Sequence, residues 1–136
     1  MKCLLLVVCV LATLLLPANA SEKANTVLVH PGDTIYARFE VKGQKLKLVG
    51  TSKEKDEGAQ VVITLGPDPK KPTQLYSLKL ESKFPRDLLY KLQMRSKKRN
   101  LEMIIPVSPV VAGKVAFEQF PQLIDELALY DFKLEK

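Results

Sequence analysis

Apolar and polar side chains alternate one by one through residues 34–41. Ile35, Ala37, Phe39 and Val41 take the odd positions, and Thr34, Tyr36, Arg38 and Glu40 the even ones. A period of two sends successive side chains to opposite faces, so this run is a half-buried strand. The pattern returns at 75–81, where Tyr76, Leu78 and Leu80 alternate with Ser77, Lys79 and Glu81. It returns again at 45–49, with lysines on one face and leucines on the other, and at 60–65 with Val61, Ile63 and Leu65 inward. Residues 88–95 fit both a strand and a helix template. The strand fits better, because a helical face through Leu88 and Leu92 also gathers Lys91 and Arg95.

Turn chemistry separates these runs. Pro31-Gly32-Asp33 precedes the first long strand, and a short strand at 26–29 comes before it. Lys42-Gly43-Gln44 reads as a hairpin loop. Residues 50–58 form a charged loop, and three prolines in 66–72 make a second, since proline cannot donate to a ladder. Ser96-Lys97-Lys98-Arg99-Asn100 is a basic turn before a strand at 101–105. Pro106 and Pro109 end that strand, leaving a short edge piece at Val110-Val111 and another short strand at 115–117. Residues 120–125 open on Phe-Pro and predict a single helical turn. The last run, 127–134, is almost continuously apolar and predicts a strand that closes the core; the competing reading is an exposed edge that accepts another chain. Seven to nine short strands without a long helix predict an all-β fold, a small antiparallel β-sandwich of immunoglobulin-like or jelly-roll kind.

Composition enters with the first twenty residues. Lys2, an apolar run over 4–16 and Ala18-Asn19-Ala20 have the layout of a secretory signal peptide. The run is too short for a bilayer, which takes about 20 apolar residues. The expectation is therefore a leader at 1–20 and one domain at 21–136, about 116 residues, enough for a core of its own. Localisation is expected to be periplasmic or secreted, with no transmembrane segment in the mature chain. Both cysteines, Cys3 and Cys9, fall in the leader, so the domain has no disulfide and packing alone must hold it. Val8 before Cys9 does not suit a lipobox.

Charge and chemistry narrow the function further. The chain has 21 Lys+Arg and 15 Asp+Glu; without Lys2 the balance is 20 − 15 = +5. A positive surface attracts polyanions. The sharpest local feature is Arg95, Lys97, Lys98 and Arg99, four cations in five residues, which suit phosphate, sulfate or carboxylate on a polymer. The competing reading is a solvated turn whose cations guard an edge. Nucleic acid is not expected, because no aromatic stacks beside the cations. No cofactor and no metal are expected: His30 is the only histidine, and Met94 and Met103 have no spacing that joins them to it. Glu102, Glu118, Asp125, Glu126 and Asp131 are acid–base candidates by type alone. No Gly-x-Ser-x-Gly elbow occurs, so no enzyme is expected. Tyr36 falls on a polar face and is the one candidate for stacking on a sugar, whereas Tyr76, Tyr90 and Tyr130 read as core. The leading expectation is an exported non-catalytic domain that binds an extracytoplasmic protein or an anionic or glycan polymer. A carbohydrate-binding module and a structural subunit of an envelope assembly are the alternatives.

Overall fold

A computed structural model describes residues 25–136 of the protein; the expected leader lies outside them. The described chain is all-β, with nine antiparallel strands and no helix: β1 (Val27–Val29), β2 (Thr34–Lys42), β3 (Lys45–Ser52), β4 (Val61–Pro67), β5 (Leu75–Ser82), β6 (Leu88–Ser96), β7 (Leu101–Ile105), β8 (Val115–Pro121) and β9 (Glu126–Leu134). Their order is β7-β6-β9-β3-β2-β4-β5-β8, with β1 also on β9. The sheet curls so that two layers face each other as in a sandwich. Between them lie Val61, Ile63, Leu65, Leu78 and Leu80 of one layer and Leu88, Leu92, Leu127 and Leu129 of the other, all fully buried. The alternating pattern is the direct cause, since every second residue of β2, β4, β5 and β6 points inward.

β9 holds the layers together. Over its first half it lies between β6 and β1, with Leu129 opposite both Leu92 and Val27. At its far end Lys133 lies opposite both Leu89 and Lys45, so β3 replaces β1 as the neighbour. A bulge makes the exchange possible. Leu89 opposes Lys133 but Lys91 opposes Tyr130, so β9 carries one extra residue there, and Asp131 takes φ 53. Aspartate is one of the few side chains that visit this region. Beyond the bulge Phe132 packs between the layers against Phe39, with ring centroids 4.9 Å apart, and against Tyr90 at 6.4 Å. Both edges of β9 are thus paired, and the strand closes the core rather than offering an edge.

Residues 88–95 are strand, with Leu88, Tyr90, Leu92 and Met94 buried. Three local expectations need correction. Residues 120–125 form no helical turn: Phe120 and Pro121 complete β8, because Phe120 is buried opposite Tyr76 and β5 supplies a ladder. The strand expected at 115–117 is accordingly seven residues long. Strand β4 also runs into the proline-rich loop, ending at Pro67 opposite Tyr76. Asp68 N–H bonds Leu75 O at 3.0 Å, so Pro67, one residue earlier, turns its nitrogen to the β2 side. β2 pairing with β4 begins only at Thr34 opposite Thr64, so no hydrogen bond is lost there.

Candidate functional site

The structure separates the four cations of the basic segment. Arg95 belongs to β6, not to the turn. Directly opposite it stand Glu126 on β9 and Glu102 on β7. Its guanidinium donates to Glu126 Oε1 at 2.8 Å and to Gln93 Oε1 at 2.9 and 3.1 Å. That charge is neutralised by its neighbours. Lys97, Lys98 and Arg99 occupy the exposed turn itself, and none of their side chains has an ionic partner among the described residues. The turn is built by Asn100, at φ 49, whose N–H bonds Lys97 O, and by Asp125, which accepts from the Lys97 N–H. A depression of about 220 Å³ beneath it is lined by Arg95, Lys97, Asn100, Glu102, Asp125 and Glu126. With three acids to two cations it does not suit an anion, so the free charge of this region lies at the turn tip.

A second basic group lies at the other end of β9, seven residues on, or about 24 Å along the strand. Lys42 on β2 stands directly opposite Lys45 on β3, and Lys45 stands opposite Lys133 on β9. Directly opposed residues share a face, so three exposed lysines form a row across three strands, about 5 Å apart at each step. Arg86 Nη2 donates to Gly43 O at 3.0 Å and brings a fourth cation to the hairpin tip. Among the described residues the only acid bonded to the row is Asp131, 3.6 Å from Lys133 and also 3.2 Å from Lys91. The sequence pattern places Lys42 in the hairpin loop; the loop is only Gly43-Gln44, and that makes Lys42 and Lys45 cross-strand partners. Lys133 gives no signal in the sequence, because its place beside Lys45 depends on the bulge in β9.

Tyr36 points outward from β2 between Ser52 and Val62, half-buried and six residues, about 20 Å, from Lys42. The structure therefore does not bring Tyr36 to either basic group. Tyr90 is core, whereas Tyr76 and Tyr130 are only partly buried.

His30 sits between two carboxylates. Nε2 lies 2.9 Å from Glu126 Oε2, and Nδ1 lies 3.4 Å from Asp33 Oδ2. Asp33 further accepts from the His30 backbone N–H at 2.9 Å, and Lys53 lies 3.6 Å away. Burial alone would raise both carboxyls. For Asp33 the His30 backbone N–H and Lys53 outweigh it, and for Glu126 the bonds from Arg95 and His30 do, so both are held below the ordinary carboxylate range. No group of three metal-ligating side chains occurs among the described residues. His30 therefore joins the β1–β2 turn to β9. Beside it a groove of about 610 Å³ opens between β1 and β3, walled by Leu28, Leu48 and Val49.

The lowered carboxyls give a pH prediction. A carboxyl with a depressed folded-state pKa contributes stability above its unfolded value, near pH 4, and loses it as pH falls through the folded value. Glu126→Gln is expected to lower stability by about 1 kcal/mol at pH 7, as a partly exposed charged network does. Thermal melts should show that deficit shrinking below about pH 4 as the native carboxyl protonates. A deficit equal at pH 7 and pH 2.5 would show that the charge is not what Glu126 contributes.

Among the described residues no helix is long and apolar enough to cross a membrane. Comparison with protein-family models, with curated proteins and with solved structures finds no match to this chain.

Proposed function

We propose that this protein is an exported, non-catalytic binding domain that recognises an anionic polymer outside the cytoplasm. The observation that carries the reading is the row Lys42, Lys45 and Lys133. Like charges directly opposite across strands destabilise a sheet, by up to roughly 1 kcal/mol a pair. Here two such contacts are stacked side by side with one shared counter-ion. A linear anion laid across the strands would relieve both. The turn cations Lys97, Lys98 and Arg99 supply a second contact for a polymer long enough to reach about 24 Å along β9. The spacing of the two groups favours a polymer over a small ion.

Retention on sulfated dextran, compared with uncharged dextran, tests this. The protein should bind only the sulfated resin at low salt. It should elute as the screening length shrinks from about 10 Å at 0.1 M to about 3 Å at 1 M. No retention at low salt would overturn the proposal. Salt-insensitive retention on both resins would replace it with neutral sugar recognition.

A further inference from the structure

Strand β8 ends the sheet, and its outer edge has an unusual composition. Among the described residues it pairs only with β5. Two flanking hydrogen bonds fix which way its backbone points. Ser82 N–H bonds Lys114 O at 3.1 Å, and Gln122 N–H bonds Gln74 O at 3.2 Å. Even-numbered residues of β8 therefore turn their polar groups to β5, and the odd-numbered Val115, Phe117 and Gln119 turn theirs to the open edge. Pro121, also odd, needs no outward donor. The side chains of Val115 and Phe117 are 42% and 64% exposed on the outer face. No lysine, proline or bulge interrupts the edge from 115 to 120; Lys114 and Pro121 flank it, and its one charge, Glu118, faces inward, where only an opposite charge would let another strand pair.

We infer that β8 pairs antiparallel with β8 of a second copy, about a two-fold axis through Ala116. Outward-facing odd residues must oppose odd residues, which permits axes only through a residue of the strand. An axis through Glu118 sets two glutamates face to face. One through Phe117 opposes Glu118 to Ala116 and Val115 to Gln119, leaving the charge unmatched. The axis through Ala116 opposes Val115 to Phe117 twice on the outer face and Lys114 to Glu118 twice on the inner face. Both charges are open to pairing: among the described residues neither Lys114 nor Glu118 has an ionic partner. The two Val115–Phe117 pairs exchange four backbone hydrogen bonds. Gln119 stays out of the way, its side chain held by Asp68 Oδ2 at 2.9 Å. A symmetric dimer of this kind is isologous, each copy giving and receiving the same contacts. It joins β3-β2-β4-β5-β8 of both copies into one continuous sheet.

Sedimentation equilibrium of the full protein across about 1–100 μM tests the inference, since a weak edge contact holds at micromolar concentration. The wild type is expected to reach twice the mass of the single chain. Glu118→Lys turns both ion pairs into repulsions and should raise the dissociation constant at least about tenfold. Adding Lys114→Glu to it restores opposite charges and should restore the dimer. If Glu118→Lys fails to fold, Phe117→Lys decides, because that side chain is exposed and should give monomer with an unchanged melt. A wild-type monomer at 100 μM overturns the inference. So does a dimer that neither charge reversal nor Phe117→Lys weakens.

Discussion

Lys45→Glu is expected to make the protein more stable and a poorer binder in the same step. Lys45 stands between Lys42 and Lys133, so one substitution turns two repulsive cross-strand contacts into two attractive ones. Each opposite-charge pair contributes roughly 0.2–1 kcal/mol. The sum is about 1 kcal/mol, which raises Tm by a few degrees in a domain of this size. Binding moves the other way. The row loses one cation and gains an anion at its centre. At about 1 kcal/mol for each charge beside an anionic surface, affinity for sulfated polymer falls by about 2 kcal/mol, roughly 30-fold. Melting curves and the salt needed for elution measure both effects on one sample. Lys98→Glu is the control: at the turn tip it has no cross-strand lysine to relieve, so it should weaken binding without raising Tm. If Lys45→Glu leaves elution unchanged, the row is not the binding surface. If stability falls instead of rising, the lysines are held by contacts other than those described.

The largest loss of stability is expected from Phe132→Ala. Phe132 is 4% exposed and packs on Phe39 of β2 and Tyr90 of β6, so it touches both layers. Truncating a buried phenylalanine costs about 3–5 kcal/mol, including the cavity left behind. Aromatic contacts add roughly 0.5–1.5 kcal/mol beyond the buried area. Against a total stability of about 5–15 kcal/mol, this change alone removes about a fifth or more. No disulfide crosses the described residues, which contain no cysteine. Urea denaturation should show a lower midpoint at unchanged slope. Phe132→Leu keeps most of the volume and should cost less than half as much. A loss below about 1 kcal/mol for Phe132→Ala would mean that the layers are joined elsewhere.

Much of this architecture could be read from residue order, because burial of one sheet face writes its period of two into the chain. Strands β2, β5 and β6 show that pattern clearly. The limits of strands were harder to read where a local rule yields to a distant partner. Pro67 and Pro121 both look like breakers, yet each is the last residue of a strand, where its nitrogen faces no ladder. The helical turn expected at 120–125 failed for the same reason, since β5, forty residues earlier, supplies the pairing. For the candidate site, the basic turn was visible as a run of like charges, but Arg95 was wrongly grouped with it. Its acidic neighbours come from β7 and β9, and only strand register reveals them. The row of lysines depends on the same information.

The pairing of β9 with β1 also bears on how the molecule is made. Leu129 lies opposite Val27, about one hundred positions earlier in the chain. Strand β6 likewise lacks its β9 neighbour, and β3 its link to the opposite layer, until that last strand arrives. Loop-closure entropy has to be met before these distant contacts form, so the domain belongs with slow, high-contact-order folders, in milliseconds to seconds. A nascent chain that stops short of β9 has exposed edges in both layers and no way to close them. Assembly therefore begins locally, in the β2–β3, β4–β5 and β6–β7 hairpins, and is completed only once β9 has been made and joins the three into one body.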